Sequence, residues 1–265
     1  MEKMHFTKMQ GLGNDYLYVY GEVPGQVEEL CRRLSDRHFG AGSDGMIFIS
    51  PSDKADFRMR IFNADGSEAR MCGNGIRCVG KYVYEKGYTQ KTELNIETLS
   101  GIRNLSLILR EERVEAVEVD MGQTRADEPL LVRLDGSELQ GIPVSVGNPH
   151  IVFFVPDIGQ VPLEVWGPQV EKHRMFPGGI NAEFVQVLSE RKLRMRVWER
   201  GSGLTMACGT GACAAAAAAV KAGYCAAGQP VKVELDGGEL GISVDGQGNA
   251  RMTGPAEFVY EGETV

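Results

Sequence analysis

One feature constrains this chain more than any other, because the same kind of segment occurs in it twice. The runs MCGNGIRCVGKYVYEKGY (71–88) and ACGTGACAAAAAAVKAGY (207–224) each place a cysteine in a Cys-Gly-polar-Gly turn, continue as a helix and end in Gly-Tyr. Cys72 and Cys208 are 136 positions apart (72 to 208), and upstream RMRIFN recurs as RMRVWE at the same offset. Such a repeat predicts two related halves, each with a strand that leads into a cysteine turn and a helix.

The repeat divides the 265 residues into an N-terminal half, 1–120, and a C-terminal half, 121–254. Apolar spacing predicts a helix near 27–34 and another near 161–173, and period-two alternation predicts strands through most of the remainder. The alanine run 214–219 is favourable for a helix that strands can surround closely. Two α+β domains are expected, with a closing strand near 255–265 that is free to return to the first half.

Composition restricts the class of partner. The formal net charge is −8, and no block rich in Lys and Arg is present, which argues against nucleic acid. No apolar run approaches the roughly 20 residues of a membrane span, and the N-terminus lacks a signal-type apolar stretch. We therefore expect a cytoplasmic protein that binds a small molecule and does not bind membranes.

The two cysteine turns are suited to acid–base chemistry. A helix start presents unpaired N–H groups and a partial positive charge, which stabilise a thiolate and are expected to lower the pKa of each thiol. The neighbouring glycines let the backbone approach an anionic ligand. Two equivalent cysteines on opposite sides of one carbon, with the halves facing across a cleft, would remove a proton from one face and return it to the other. The pattern favours racemisation or epimerisation.

No cofactor is expected. Residues 40–45, GAGSDG, match the dinucleotide pattern G-x-G-x-x-G, but they follow a predicted helix and precede a predicted strand. A dinucleotide site needs the opposite order.

Five runs in chain order carry a family resemblance: MQGLGNDY, FNADGSEARMCGNGIRC, GNPH, INAEF and ERGSGLTMACGTGACA. Together they resemble diaminopimelate epimerase, an enzyme of lysine and peptidoglycan precursor biosynthesis that works without a cofactor or a metal. The resemblance implies a fold of two pseudo-symmetric α+β domains, each a curved, mostly antiparallel sheet around a central helix, with the active site in the cleft between them. It implies conversion of LL-2,6-diaminopimelate to the meso form, with Cys208 as proton acceptor and Cys72 as proton donor.

The resemblance also assigns roles to other positions. It places His150 and Glu199 where they modulate the pKa of a cysteine, and it links Tyr260 to formation of a homodimer. The family often has a glutamine at the position of Gly45, so this chain lacks that side chain. The substrate-binding positions implied are Asn14, Gly45, Asn63, Gly73, Asn74, Asn148, Asn181, Glu199, Arg200, Gly209 and Thr210.

Three alternatives stay open at this stage. Proline racemases and hydroxyproline epimerases share the paired cysteines, although Glu199, Arg200 and several asparagines suit a long substrate charged at both ends better than a small ring. Histidine racemases of the same superfamily are a second alternative. Structural zinc is the third, with the four cysteines of the two repeats as ligands, but only one pair has the spacing of a zinc finger. Those cysteines are Cys72, Cys78, Cys208 and Cys213.

Overall fold

The computed structural model describes residues 3–265. None of the helices in this part of the chain combines the length and the hydropathy needed to cross a membrane. The helices are α1 (Val27–Ser35), α2 (Gly73–Glu85), α3 (Leu163–Glu171) and α4 (Gly209–Lys221), with a 3₁₀ turn at Ile158–Gln160. The strands are β1 (His5–Gly11), β2 (Asn14–Tyr20), β3 (Gly45–Pro51), β4 (Phe57–Asn63), β5 (Glu68–Ala69), β6 (Glu93–Thr98), β7 (Gly101–Arg110), β8 (Arg113–Gln123), β9 (Arg125–Ala126), β10 (Leu130–Leu134), β11 (Ser137–Ser145), β12 (Pro149–Phe154), β13 (Asn181–Ser189), β14 (Lys192–Glu199), β15 (Gly203–Leu204), β16 (Val231–Leu235), β17 (Gly238–Val244), β18 (Asn249–Gly254) and β19 (Glu257–Glu263).

The chain forms two compact units. Unit 1 contains residues 1–119 and 254–265, and unit 2 contains residues 120–253. The chain leaves unit 1 within β8, and the C-terminal strand β19 pairs antiparallel with β1.

Both units repeat one strand plan. In unit 1, β2 pairs parallel with β3 after α1, β3 pairs antiparallel with β4, and β4 pairs parallel with β6 after α2. In unit 2, β12 with β13, β13 with β14 and β14 with β16 repeat these orientations, with α3 and α4 as the crossovers. A parallel pair needs such a long connection, whereas hairpins join the antiparallel pairs. The predicted α+β class is confirmed.

A central helix fills each unit. Every alanine from 214 to 219 is at most 5% exposed, and α4 packs against β11–β14, β16 and β17. Methyl side chains let this many strands approach the helix closely, which explains the alanine run that the sequence analysis assigned to a central helix. In unit 1, α2 contacts β1, β2 and β7 and is buried from its first residue through Val83.

Buried thiols make the fold sensitive to alkali. Burial raises the pKa of the Cys31 thiol from 9.0 to about 12 and that of Cys78 to about 11. The folded state therefore keeps protons that the unfolded state releases, so stability is complete below pH 9 and falls as the pH rises toward 11–12. We expect a loss of about 1 kcal/mol per thiol for each pH unit above 9. Urea unfolding between pH 8 and pH 10.5 measures it. Cys31→Ala should show a smaller dependence on pH, and an equal dependence would contradict the assignment.

Candidate active site

The two cysteines occupy the same local structure. Cys72 and Cys208 are the N-cap residues of α2 and α4, and both have extended backbones. Each sulfur accepts a hydrogen bond of 3.3 Å from a backbone N–H three residues on, that of Gly75 or Gly211. These are N–H groups that a helix start leaves without intrahelical partners. The turn thus uses the thiol as a helix cap and holds its sulfur at the positive end of the helix.

The last glycine of each turn, Gly75 or Gly211, lies close to a side chain of a neighbouring strand. A Cβ on Gly75 would lie 2.7 Å from the Cδ1 of Ile47, and a Cβ on Gly211 would lie 2.8 Å from a carboxyl oxygen of Glu183. The helix start therefore packs directly on a strand of its own unit, and this close approach fixes the cap geometry.

Asn14 lies beside Cys72 in unit 1. The thiol donates a hydrogen bond of 3.3 Å to the amide oxygen of Asn14, and the amide nitrogen donates one of 2.7 Å to Asp44. Asp44 also accepts from the backbone N–H of Asp15 and from the guanidinium of Arg37. This ionic network orients the Asn14 amide so that its oxygen faces the sulfur.

Three other assigned residues of unit 1, Asn63, Gly73 and Asn74, make local hydrogen bonds. Asn63, at the end of β4, donates its amide to the Ser67 hydroxyl at 3.0 Å. The carbonyl of Gly73 and the amide oxygen of Asn74 both accept from Arg77, which is fully buried. Asn74 is itself buried, so its side chain serves the packing of α2.

Gly45 lies opposite Asn63 in the β3–β4 ladder. Its φ is +155°, and a Cβ built on it would lie 2.1 Å from the carbonyl oxygen of Phe62. The backbone therefore excludes the glutamine that the family often has here, and only main-chain groups of Gly45 are available to a ligand.

We expect Gly45→Ala to destabilise the protein by about 3 kcal/mol or more, because the backbone of β3 or β4 must shift to relieve the clash. Gly25→Ala is the matched control, since nothing lies within 4 Å of its Cβ position and its φ carries no penalty. Chemical unfolding of both variants measures the difference. Equal stability would show that β3 accepts a side chain here.

A chain of hydrogen bonds leads away from Cys208 in unit 2. The sulfur lies 3.5 Å from the Thr210 hydroxyl, which accepts from the amide of Asn148 at 3.4 Å. The amide oxygen of Asn148 lies 3.0 Å from Nε2 of His150, and Nδ1 of His150 lies 2.7 Å from Glu183. His150 and Glu183 have no solvent-exposed side-chain surface.

Glu199 and Arg200 stand at the end of β14. The carboxylate of Glu199 accepts a hydrogen bond from Thr205 and interacts with the Cys208 thiol. Asn181 accepts from the backbone N–H of Arg200 at 2.9 Å, while the exposed guanidinium of Arg200 donates to the Gly178 carbonyl at 3.2 Å. Hydrogen bonds from Trp198 and Gly201 lower the pKa of the Glu171 carboxyl, and the positive charge of Arg200 also lowers it, with a smaller effect.

The expected lowering of the thiol pKa is wrong for Cys208. Burial raises its pKa well above 9.0, and the carboxylates of Glu199 and Glu183 raise it further, whereas the hydrogen bonds from Thr210 and Gly211 lower it. Desolvation and two nearby negative charges therefore outweigh the helix start. Burial likewise raises the pKa of Glu199. A cation that binds beside these carboxylates would favour the thiolate.

Sequence reasoning missed several residues of these networks, among them Asp44, Glu183 and Thr205. Asp44 lies next to the assigned Gly45 and Glu183 lies two positions after the assigned Asn181, but neither carries a catalytic motif of its own. Within residues 3–265, no group of three His, Cys, Asp or Glu side chains is arranged to hold a metal ion.

Tyr260 lies on β19, the C-terminal strand that pairs with β1 in unit 1. Its ring is 41% exposed and packs edge-on against Phe6, and its hydroxyl donates to the Ala41 carbonyl at 2.9 Å.

Solved structures of similar fold include a phenazine biosynthesis protein of the PhzF family from Bacillus anthracis, with a TM-score of 0.78, 19% identity and complete coverage of both chains. A hydroxyproline epimerase from Agrobacterium vitis has a TM-score of 0.76 and 17% identity over 99% of this chain and 92% of its own. At these identities the likeness concerns the fold alone.

Sequence comparison is more specific. The model of the family described as diaminopimelate epimerase matches residues 6–126 and 142–259. Diaminopimelate epimerases from Bacteroides thetaiotaomicron and Acetivibrio thermocellus are 52% and 48% identical to this chain, each over 98% of both proteins. The chain therefore belongs to the diaminopimelate epimerase family, whose members are isomerases that act on a small molecule.

Proposed function

We propose that this protein interconverts LL- and meso-2,6-diaminopimelate without a cofactor, with Cys72 and Cys208 as the acid and the base. The observation that carries the proposal is the repeated cap, in which each sulfur accepts an N–H hydrogen bond of 3.3 Å at a helix start. Such a turn stabilises a thiolate and offers further N–H groups to a substrate carboxylate. Family membership supplies the substrate.

The mechanism requires the two thiols to reach opposite faces of one α-carbon. In the LL-to-meso direction, the Cys208 thiolate removes the α-proton and the Cys72 thiol delivers a proton to the other face. The carbanionic transition state is stabilised by N–H groups of the glycine turns. For the reverse direction the two cysteines exchange roles.

The surrounding side chains suit a substrate with an ammonium and a carboxylate at each end. Glu199 can accept from the ammonium, and Arg200 can bind a carboxylate with two hydrogen bonds. The amides of Asn14, Asn63, Asn148 and Asn181 can donate to one group and accept from the other. An ammonium beside Glu199 also offsets the negative charge that disfavours the Cys208 thiolate, so we expect substrate binding to promote its deprotonation.

We further propose that the enzyme is a cytoplasmic homodimer. A reaction that needs two reduced thiols is suited to a compartment where glutathione and thioredoxin keep cysteines reduced. We assign the dimer contact to Tyr260, whose side chain is partly exposed on β19.

The test of the function is a stereochemical assay. Purified protein in reductant, with no added cofactor, is given LL-diaminopimelate, and the isomers are separated by chiral chromatography. Accumulation of the meso form to an equilibrium mixture is expected. Turnover of free proline, hydroxyproline or histidine, with none of diaminopimelate, would favour a related racemase instead.

A further inference from the structure

The strand registers allow the two units to be compared residue by residue. In the antiparallel ladders, Met46 lies opposite Phe62, and Ala182 lies opposite Trp198, 136 positions later in both strands. The residue after Met46 is Ile47, and the residue after Ala182 is Glu183. Glu183 is therefore the counterpart of Ile47.

The parallel ladders give a second correspondence. Gly45 and Asn181 occupy the same place in β3 and β13, and Asn181 lies opposite His150. Extending the Leu17–Met46 pairing by one residue puts Tyr16 opposite Gly45. His150 is thus the counterpart of Tyr16, and the second unit has a histidine and a glutamate where the first has a tyrosine and an isoleucine.

Ile47 in unit 1 and Glu183 in unit 2 each lie directly beneath the cysteine turn of their unit. The Cβ position of Gly75 is 2.7 Å from Ile47, and that of Gly211 is 2.8 Å from Glu183. The Cβ position of Gly211 is also 3.2 Å from the Cys208 sulfur. An apolar side chain therefore supports the first turn, whereas a carboxyl group supports the second.

Packing does not explain a glutamate here. Its side chain has no exposed surface, and one carboxyl oxygen, Oε2, has no hydrogen-bond partner among residues 3–265. A buried carboxyl with an unpartnered oxygen is destabilising, and the equivalent place in unit 1 is occupied by an isoleucine. This cost indicates a role in chemistry.

Hydrogen bonds connect Glu183 to Asn148 through the imidazole ring of His150. The amide oxygen of Asn148 can only accept, so Nε2 of His150 carries a hydrogen. Nδ1 of His150 lies 2.7 Å from Oε1 of Glu183, so the carboxyl group holds the other side of the imidazole ring. His150 and Glu183 together form a buried pair whose carboxylate lies beneath Gly211, and the pair fixes Asn148 against Thr210, the neighbour of the Cys208 sulfur.

We propose that Glu183 is a positioning residue for Cys208: with His150 it fixes the hydrogen-bond chain to that sulfur, and it makes the second thiol turn chemically different from the first. The inference rests on the proposed function for its role in catalysis. The charged and titratable groups that face Cys208 are Glu199 and Glu183, with His150 behind Glu183. Removal of the Glu183 charge therefore makes the Cys208 thiolate easier to form.

The test measures site-specific alkylation in proteins that retain only one of the two turn cysteines, Cys72 or Cys208. In Cys72→Ala protein, Glu183→Gln is expected to increase the rate of iodoacetamide alkylation at Cys208, read by peptide mass spectrometry at pH 8, by about tenfold, because the rate follows the thiolate fraction. In Cys208→Ala protein, the same change should leave alkylation of Cys72 unaltered. Glu164→Gln, at an exposed carboxylate of unit 2, is the matched control and should change neither rate.

The alkylation rate of Cys213 serves as an internal control, because Cys213 is fully buried in α4, the helix that begins at the second turn. A substitution that loosens this helix would raise the alkylation rate at both Cys208 and Cys213, whereas a local effect would raise it at Cys208 alone. An unchanged rate at Cys208, or a rise that Cys213 shares, overturns the proposal. If the Glu183→Gln variant does not fold, Glu183→Leu replaces it in the same alkylation test, because leucine imitates Ile47, the apolar counterpart in unit 1. In the enzyme that keeps both Cys72 and Cys208, Glu183→Gln should lower kcat about tenfold and change KM by no more than about twofold. An unchanged kcat also overturns the proposal. Alkylation needs no turnover, so failure of the diaminopimelate assay would leave this result independent.

Discussion

Epimerisation of LL-diaminopimelate is expected to fall by a factor of at least about 10³ when either Cys72 or Cys208 is replaced by alanine, because one thiol cannot serve both faces of the α-carbon. Both thiols are helix caps, so circular dichroism and urea unfolding must show that each variant is folded. Cys31→Ala is the control, since Cys31 lies in the core of unit 1 and has no assigned role. Chiral chromatography of the product measures the rate. Substantial epimerisation by either the Cys72→Ala or the Cys208→Ala variant would contradict the two-base mechanism.

The isotope pattern gives the same mechanism an independent check. In D₂O the donor thiol carries deuterium, whereas the proton removed from the substrate stays on the other cysteine. The meso product should therefore carry label at initial rates before the remaining LL substrate does. Rapid labelling of recovered LL substrate would indicate a single base that exchanges with solvent.

The second large effect is expected at Arg200, where alanine should lower kcat/KM by about a hundredfold. A substrate carboxylate would lose a bidentate, charge-assisted partner. Lysine at this position should also be poor, because an ammonium cannot form the planar fork. Arg191→Ala is the matched control: Arg191 is an exposed arginine of the same unit whose side chain donates to Gln229, and its replacement should keep full activity. Initial rates on LL-diaminopimelate decide the matter, and wild-type kinetics in both Arg200 variants would remove Arg200 from the site.

The sequence predicts the parts of this fold that depend on local pattern. The cysteine caps, the alanine helix and the longer strands each have a periodicity or a turn chemistry that is visible without the structure. The strands β5, β9 and β15 have only two residues each and carry no pattern of their own, because pairing with neighbouring strands defines them.

Glu183 shows why the electrostatics of the site could not be predicted in the same way. An acid between Ala182 and Phe184 is typical of a residue on the solvent face of a strand. The first five residues of β13 are all buried, so alternation gives no information there. The error in the expected pKa of Cys208 has the same origin, since the carboxylates of Glu183 and Glu199 reach the thiol only after β13 and β14 have paired.

The pairing of β19 with β1 determines the order in which the protein can be completed during translation. Unit 2 is continuous in sequence, so all of its residues have been synthesised before residues 254–265 are added. Unit 1 lacks its final strand until then, and the buried guanidinium of Arg77 also waits for its partner, the Pro255 carbonyl. The first unit to be synthesised is therefore finished after the second, and until β19 has emerged from the ribosome the edge of β1 stays open to pairing with other nascent polypeptides.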